Sequence, residues 1–542
     1  MTVRFEEFKK EDIIEERKIL KEGLIYKLKY FDDTGFQSVL SVQTDGEIKI
    51  STESLQIINY TETKMDIETL HNEERFYVQK KAVKSYLKLC KSSTLSNEKL
   101  LQNIYKHDHK QIFLTRMYQN SVKYIQAYSG FGIPNLQGIW SGDFEPAWAG
   151  DYTFDTNVQL AISSYLSLGM FGEMKSVFKH LENMFDDFRH NAQYYFGCKG
   201  LLVPAHASRR GLHLHWDKDW PLVFWISGAG WLSKYYQEYF NYTEDYEFLR
   251  KQALPFFEES LEFYMDYVQV TNDKILIRPS YSAENGMGDN STMDIMIIRD
   301  LIKNIINARN ILNLPQDETV YNFEKKLPKY LIENNVLREW VDKETVENYN
   351  HRHFSHLYGV FETKEINKTH YAWEASRNAF KKRLDHWFYN CDRDTSSVHG
   401  KIHTGFLAIA FEMDNVFDDV LQSIMNNQNY FKNFVTSHYD WGEVFNLDGS
   451  GAYPKLIIDS LIYVEYDGSI TIRKIKSNLL SEGIITNVFL PKNLKVNHFK
   501  WYDNTWEMSL SSTQNMYLKI NDDGETKAIH INEGENLIRK GD

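Results

Sequence analysis

Four segments of the chain gather polar side chains that a packed core has no use for. They are Asn135-Leu136-Gln137-Gly138-Ile139-Trp140 running on to Asp151-Tyr152-Thr153-Phe154-Asp155-Thr156-Asn157; Ser280-Tyr281-Ser282-Ala283-Glu284-Asn285-Gly286; His351-Arg352-His353-Phe354-Ser355-His356; and Asn446-Leu447-Asp448-Gly449-Ser450-Gly451. In two of them a carboxylate stands beside small residues, Glu284 before Asn285-Gly286 and Asp448 before Gly449-Ser450-Gly451, where a substrate can approach closely. Two carboxylates on separate loops are the minimum for breaking a glycosidic bond, since one protonates the leaving oxygen and the other attacks or activates water. By itself the pair is not diagnostic: the chain has 75 acidic residues, and a carboxylate beside glycine is commonly a turn or a helix cap.

His351-x-His353-x-x-His356 sets three imidazoles close together, and His399 and His403 form an i,i+4 pair. Three readings stand open: a metal site, though no HExxH or paired cysteines support one; caps and satisfied core histidines; or neutral imidazoles that, with Arg352, hydrogen-bond hydroxyls around a sugar. The third suits the segment best, and neither a metal nor a cofactor is expected. Gly228-Ala229-Gly230 and Gly286-Met287-Gly288 match neither a phosphate loop nor a dinucleotide fingerprint, and the first reads as close helix packing. A Gly-x-Ser-x-Gly elbow and a kinase motif set are both missing, which excludes serine hydrolase and kinase chemistry.

These loops need a scaffold. From Leu24 to about Tyr60 apolar residues alternate (Leu24, Tyr26, Leu28, Tyr30, then Val39, Ile48, Ile50, Ile57), with Asp45-Gly46 as a hairpin turn, which predicts a small β region. After about Phe76 the period becomes helical: Leu249, Ala253, Phe257, Leu261, Tyr264 and Val268 follow the acidic start Thr243-Glu244-Asp245, with Pro255 as an expected kink. Ile295, Ile298, Ile302 and Ile305 make a stripe wide enough to pack on two sides. Further helices are predicted over approximately 157–190, 223–240, 318–340, 368–389, 398–428 and 452–464. Helix pairs joined by such loops suggest a toroid with its chemistry at the loop end. From Gly468 alternation returns, with Asp523-Gly524 as a turn before Ile529 and Ile531.

Composition narrows the class of ligand. With 42% hydrophobic and 25% charged residues over 542 positions and only 10 Pro, the chain is globular rather than disordered or fibrous. A formal charge of −13 without a basic run makes nucleic acid and anionic membrane surfaces poor partners, and points to a neutral or cationic ligand. The aromatic share of 15% serves a sugar cleft or a large helical core equally well. No apolar stretch reaches membrane-spanning length, and MTVRFEEFKKEDIIEERK lacks the apolar centre of a secretory signal, so a cytoplasmic location is expected. Cys90, Cys198 and Cys391 are too far apart for a disulfide framework or a metal motif and read as buried thiols.

The four segments, continued as His351-Arg352-His353-Phe354-Ser355-His356-Leu357-Tyr358-Gly359 and closed by Asp448-Gly449, stand in the order of the motifs of glycoside hydrolase family 95. The chain resembles this family of inverting α-L-fucosidases and α-L-galactosidases from about Leu24 into the C-terminal β region, most closely from Ile133 to Gly451. The resemblance implies an N-terminal β domain, an (α/α)6 barrel and a C-terminal β domain, the same β, helical, β order read from periodicity. It implies Glu284 as general acid, and Asp448 as the residue that polarises the attacking water together with the two Asn of a Tyr-x-x-Asn-x-Asn segment. The second Asn is Asn157; the first position holds Asp155. Leu160-Ala161-Ile162-Ser163 stands where the family has Met-Asn-Tyr-Trp, and the N-terminal β region is much shortened.

The chain is therefore read as mainly α: a truncated N-terminal β region at 1–75, an (α/α)6 barrel at 76–465 and a C-terminal β-sandwich-like domain at 466–542. The expected function is hydrolysis, with inversion, of a terminal α-linked sugar, an α-L-fucoside or related α-L-galactoside, in an oligosaccharide or glycoside. Glu284 is the acid, Asp448, Asn157 and Asp155 form the water-activating side, and Trp140, Trp148, His351, Arg352 and His353 grip the sugar. Inversion calls for about 6.5–9.5 Å between Glu284 and the base carboxylate, Asp448 or Asp155. Asp155 is expected to take over as base or to share a proton with Asp448, unless it turns outward to cap the helix starting near Asn157. Two other classes fit the same residues: a carbohydrate-binding protein that has lost turnover, favoured by the Asn-to-Asp change, and a phosphorylase or lyase on the same fold.

Overall fold

A computed structural model of the chain describes residues 2–4, 13–20, 23–30, 35–44, 47–50, 54–58, 63–71, 83–89, 95–104, 107–140, 145–271, 274–391 and 396–541. The chain divides into two units, Met1–Tyr77 and Val78–Asp542. In the first, the alternating segments form antiparallel strands: Ile13–Leu20, Gly23–Tyr30, Gly35–Thr44 and Thr63–His71 in one sheet, Thr2–Arg4, Ser54–Ile58 and Glu47–Ile50 in another. The expected Asp45-Gly46 turn lies outside the described residues.

The second unit is helical through its middle, because the three-and-four spacing of apolar residues gives each helix a face to bury. The isoleucine stripe becomes the helix Thr292–Ile311, buried on both sides between Leu254–Tyr267 and Gly228–Thr243. A Cβ on Gly230 would overlap Ile297 and one on Gly228 would overlap Val203, so this glycine pair is close packing, as its spacing suggests. The last helix, Asp448–Leu461, packs on Val398–Ala410 and returns to the first long helix, His107–Tyr128, and to Asn157–Ile162. Among the described residues no helix is long and apolar enough to cross a membrane.

Several predicted helices differ in extent, each for a local reason. Pro255 stands at the second position of Leu254–Tyr267, directly after a wider π turn at Leu249–Ala253; lacking an N–H, it starts the α-helix instead of kinking one. The helix expected over 318–340 stops at Lys326, because Pro328 forces Leu327 into extended backbone (ψ 137°), and a short hairpin, Ile332–Glu333 with Val336–Leu337, follows. The 157–190 stretch breaks into Asn157–Ile162, Phe171–Glu182 and Phe185–Phe196. His107–Tyr128 was not anticipated, although Phe113, Met117, Val122 and Ile125 carry the helical spacing.

The C-terminal region is β-rich, with two sheets. One orders Ile462–Val464, Ile470–Ile472, Met516–Asp522 and Glu525–Ile531, the last two joined through Asp523-Gly524 with φ of 49° and 86°, the hairpin turn that Asp-Gly favours. The other runs Gly534–Arg539, Thr505–Ser512, Leu494–Tyr502 and Glu482–Leu490, and its edge strand, Tyr86–Lys88, comes from the segment read as the start of the helical region. Cys198 is buried, Cys391 is half-buried, and Cys90 lies outside the described residues.

One packing contact sets the site. A Cβ on Gly451 would overlap the backbone of Ala161, so the first turn of Asp448–Leu461 lies directly on Asn157–Ile162. Gly451→Ala should force the two helices apart and destabilise the protein by about 1–3 kcal/mol, read as a lowered thermal midpoint; an unchanged midpoint would mean that this approach is not tight.

Candidate active site

Glu284 occupies the tip of a hairpin made by Ser280–Ser282 and Gly286–Gly288. The Asn285 amide donates to the Ser282 carbonyl at 2.8 Å, and Glu284 takes a left-handed φ of 52°. Such a backbone costs a non-glycine residue about 1–3 kcal/mol, and the surroundings must over-determine it. They do so through Glu339, which is fully buried and accepts hydrogen bonds at 2.5 Å from Ser282 Oγ, Asn285 Nδ2 and Arg383 Nη2. Arg383, itself without exposure, also donates from Nη1 to the His351 carbonyl at 2.9 Å. One buried ion pair thus holds both the Glu284 hairpin and the histidine loop. From that loop Arg352 ion-pairs with Glu284 Oε2, and His353 Nε2 stands 3.8 Å from Oε1.

Asp448 opens its helix and is buried. The Gly449 amide donates to Oδ1 at 2.5 Å and Asn157 Nδ2 donates to Oδ2 at 2.6 Å. Burial pushes Asp448 up to about 7, against the Gly449 amide and the Asn157 and Asn446 side chains, which favour its ionised form. Donor atoms of His399, His438 and Asp448 lie within 4.8 Å of one another. Asn446 Nδ2 donates to His438 Nδ1 at 2.9 Å, and the Trp148 ring packs 4.8 Å from His438. The His353 and His399 rings are 4.9 Å apart. Glu284, His353, His399 and Asp448 therefore form a continuous row, and the two carboxylates close its ends. Burial, aided by the Arg352 charge, holds His351, His353, His399 and His438 well below the ordinary imidazole range, so at neutral pH they are uncharged hydrogen-bonding groups.

Asp155 departs from its expected place. Its carboxylate, with His206 and Glu284, forms a group whose polar atoms lie within 4.8 Å of one another, too close for the water that an inverting pair must admit. Its largest electrostatic neighbour is Glu284, so the expectation that it pairs with Asp448 is corrected: Asn157 alone of the two reaches Asp448. Nor is it a cap, since both of its oxygens are buried and accept no hydrogen bond. The local backbone allows this, because Asp155 lies in the turn at 154–156 while Asn157 is the first residue of the helix Asn157–Ile162, so the two side chains leave from differently oriented backbone.

Trp140 is 36% exposed and packs edge-on against Tyr124 at 5.8 Å. His356 lies buried with both ring nitrogens unpartnered, and His403 reaches Thr156 Oγ1 at 3.4 Å. Sequence reasoning missed His206 and His438 as site residues. It named Asp151 in a motif and gave it no role, yet Asp151 Oδ2 accepts from His206 Nδ1 at 2.8 Å and His215 Nε2 at 2.7 Å. The cluster His206, His213, His215, Trp216, Trp220 was the available signal. The Asp151, His206 and His215 grouping is a hydrogen-bonded one, its nitrogens committed as donors, and in the Asp155, His206 and Glu284 grouping the Arg352 guanidinium already occupies the carboxylate that would take a cation.

The sequence profile of the glycosyl hydrolase family 95 catalytic domain matches residues 67–461. The chain belongs to this family. Among curated relatives, it is 24% identical over 424 residues to alpha-L-fucosidase 2 of Arabidopsis thaliana, covering 72% of this chain and 49% of that protein. It is 22% identical over 256 residues to probable alpha-fucosidase A of Aspergillus niger, covering 44% and 32%. The chain thus spans about half the length, or less, of these relatives. A solved structure assigned as a kojibiose phosphorylase from the human microbiome superposes with a TM-score of 0.59 at 12% identity, over 98% of this chain and 75% of that one, and so shares its fold.

Two outcomes follow for Asp448. Asn157→Ala removes a donor that favours the ionised carboxylate, so the group titrates higher and the acid limb of the kcat/KM profile moves to higher pH, by on the order of one unit; a fixed limb would mean that Asp448 is not the group that must ionise. The folded value of Asp448 lies above the roughly 3.9 of an unfolded Asp, so its contribution to stability is present below that pH and is lost as pH rises through about 7. Asp448→Asn should therefore raise the thermal midpoint at pH 8 and bring no gain at pH 4.

Proposed function

We propose that this protein hydrolyses a terminal α-linked sugar, an α-L-fucoside or related α-L-galactoside, with inversion at the anomeric carbon. The observation that carries the reading is the row from Glu284 through His353 and His399 to Asp448, with Asn157 holding the second carboxylate by a 2.6 Å hydrogen bond. Glu284 protonates the glycosidic oxygen as its bond to the anomeric carbon breaks. Asp448 takes a proton from the water that attacks the opposite face, and Asn157 keeps its carboxylate turned towards that water. Uncharged His351, His353, His399 and His438 hydrogen-bond the sugar hydroxyls, Arg352 orients the acid, and Trp148 supplies an apolar face. Family membership and the alpha-fucosidase relatives support the reading. We further read the helices as an (α/α)6 barrel, supported by the return of Asp448–Leu461 to His107–Tyr128, and the C-terminal sheets as a sandwich.

Turnover of a panel of aryl α-glycosides, with the first-formed anomer followed by NMR, tests this. The β anomer should form first from an α-glycoside. Retention would make Glu284 and the nearby Asp155 the reacting pair, a requirement for phosphate would mark a phosphorylase, and sugar binding without turnover would mark a binding protein. Glu284→Gln should lower activity on natural glycosides by at least about a hundredfold, and much less on aryl substrates whose leaving group needs no proton. Equal losses on both would mean that Glu284 positions the substrate instead of protonating it.

A further inference from the structure

Asp155 is the unusual group of this site. It is 1% exposed, and neither oxygen accepts a hydrogen bond. A bare carboxylate in such surroundings is costly. The third member of its group, His206, is held at Nδ1 by Asp151 and has Nε2 unpartnered and buried. The charged or titratable groups facing this cluster are Glu284 and Tyr281 from the hairpin, Arg352 and His353 from the histidine loop, His206 from the short strand His206–Ala207, Asp151 behind it, and His213 and His215, the latter sharing Asp151 with its ring 4.5 Å from that of His206. Among Arg352, His206, Asp151, Asp155 and Glu284, with the first two positive and Asp151 negative, the charges cancel when Asp155 and Glu284 carry one proton between them. Two carboxylates this close cannot both ionise freely.

We infer that Asp155 and Glu284 share a single proton, that this is the proton delivered to the leaving oxygen, and that His206, oriented by Asp151, sets the pH at which the pair gives it up. The inference rests on Glu284 as the general acid and adds Asp155 and His206 as positioning residues. In a turnover the pair loses its proton to the glycosidic oxygen as the carbon–oxygen bond breaks. Asp448 gains one from the water whose oxygen bonds to the anomeric carbon, and exchange with solvent restores both. The electrostatics agree: burial and then the charge of Glu284 push Asp155 up to about 7, while His206 and Arg352 pull it down. Burial opposes a charged His206, but the Asp151 hydrogen bond and the charges of Asp155, Asp151 and Glu284 outweigh it and raise the imidazole above its ordinary value.

The test is the alkaline limb of kcat/KM against pH on a natural-type α-glycoside. Asp155→Asn removes the like charge, so the limb should move down by on the order of one unit, and the rate one unit above the wild-type limb should fall about tenfold relative to wild type. His206→Gln removes the positive charge that favours ionised carboxylates, so the limb should move up. A merely structural role would not shift the two in opposite directions. An unmoved limb in Asp155→Asn, or shifts of the same sign, overturns the inference, and the upward shift of His206→Gln keeps it testable if Asp155→Asn folds poorly. Glu284→Gln separates the two levels. If it stays active on natural glycosides, the acid assignment itself fails; if it is inactive while the Asp155→Asn limb is unmoved, only the sharing fails.

Discussion

The buried Glu339–Arg383 ion pair is the contact on which the site depends. Taking two charges out of water is expensive, and the loss is recovered only when the remaining donors and acceptors are also used. Here most of them are: Glu339 receives Ser282 and Asn285 from either side of Glu284, and Arg383 reaches the His351 carbonyl from the helix Trp373–Arg383, which leaves its buried Nε without an acceptor. Removing one partner of such a pair costs about 3–5 kcal/mol, because it strands the other. In this fold it would also release the left-handed turn that aims Glu284 and the loop that carries Arg352 and His353.

The second organising element is the short segment from Asp155 to Asn157. One of its side chains faces Glu284, the other binds Asp448, so three residues of backbone relate the acid to the base. The environments they meet differ. Near Asp448 the imidazoles are buried and uncharged, suited to hydroxyl groups, whereas near Glu284 an imidazole backed by Asp151 favours its charged form. Asp155 and Asp448 are nevertheless both pushed up to about 7, the first by burial and the charge of Glu284, the second by burial.

Such a site is held against its own tendency to take up water. Asp155 and Asp448 are buried and raised to about 7, so each opposes folding at higher pH, and the close approach of Gly451 to Ala161 leaves their segments little room to relax. The surrounding core of large aromatic side chains, among them Trp225, Trp340 and Trp387, supplies the apolar burial that offsets this. The high aromatic content is therefore spent chiefly on the core, with Trp148 as its representative at the site.

What the sequence by itself determined was local. Helical spacing forecast Thr292–Ile311, Asp523-Gly524 forecast a hairpin, and the small residues after Glu284 and Asp448 marked where a ligand can approach, because periodicity, φ and side-chain volume act between near neighbours. Even the misread helix ends had local causes, at Pro255 and Pro328. The tertiary structure alone decided which carboxylate Asp155 faces, and that His206, His438, Glu339 and Arg383 belong to the site. Asn157 and Asp448 are 291 residues apart, and Asp155 and Glu284 are brought together from separate loops. Partnership at that range is set by distance through space and by the loss of water around charge, and neither leaves a pattern along the chain.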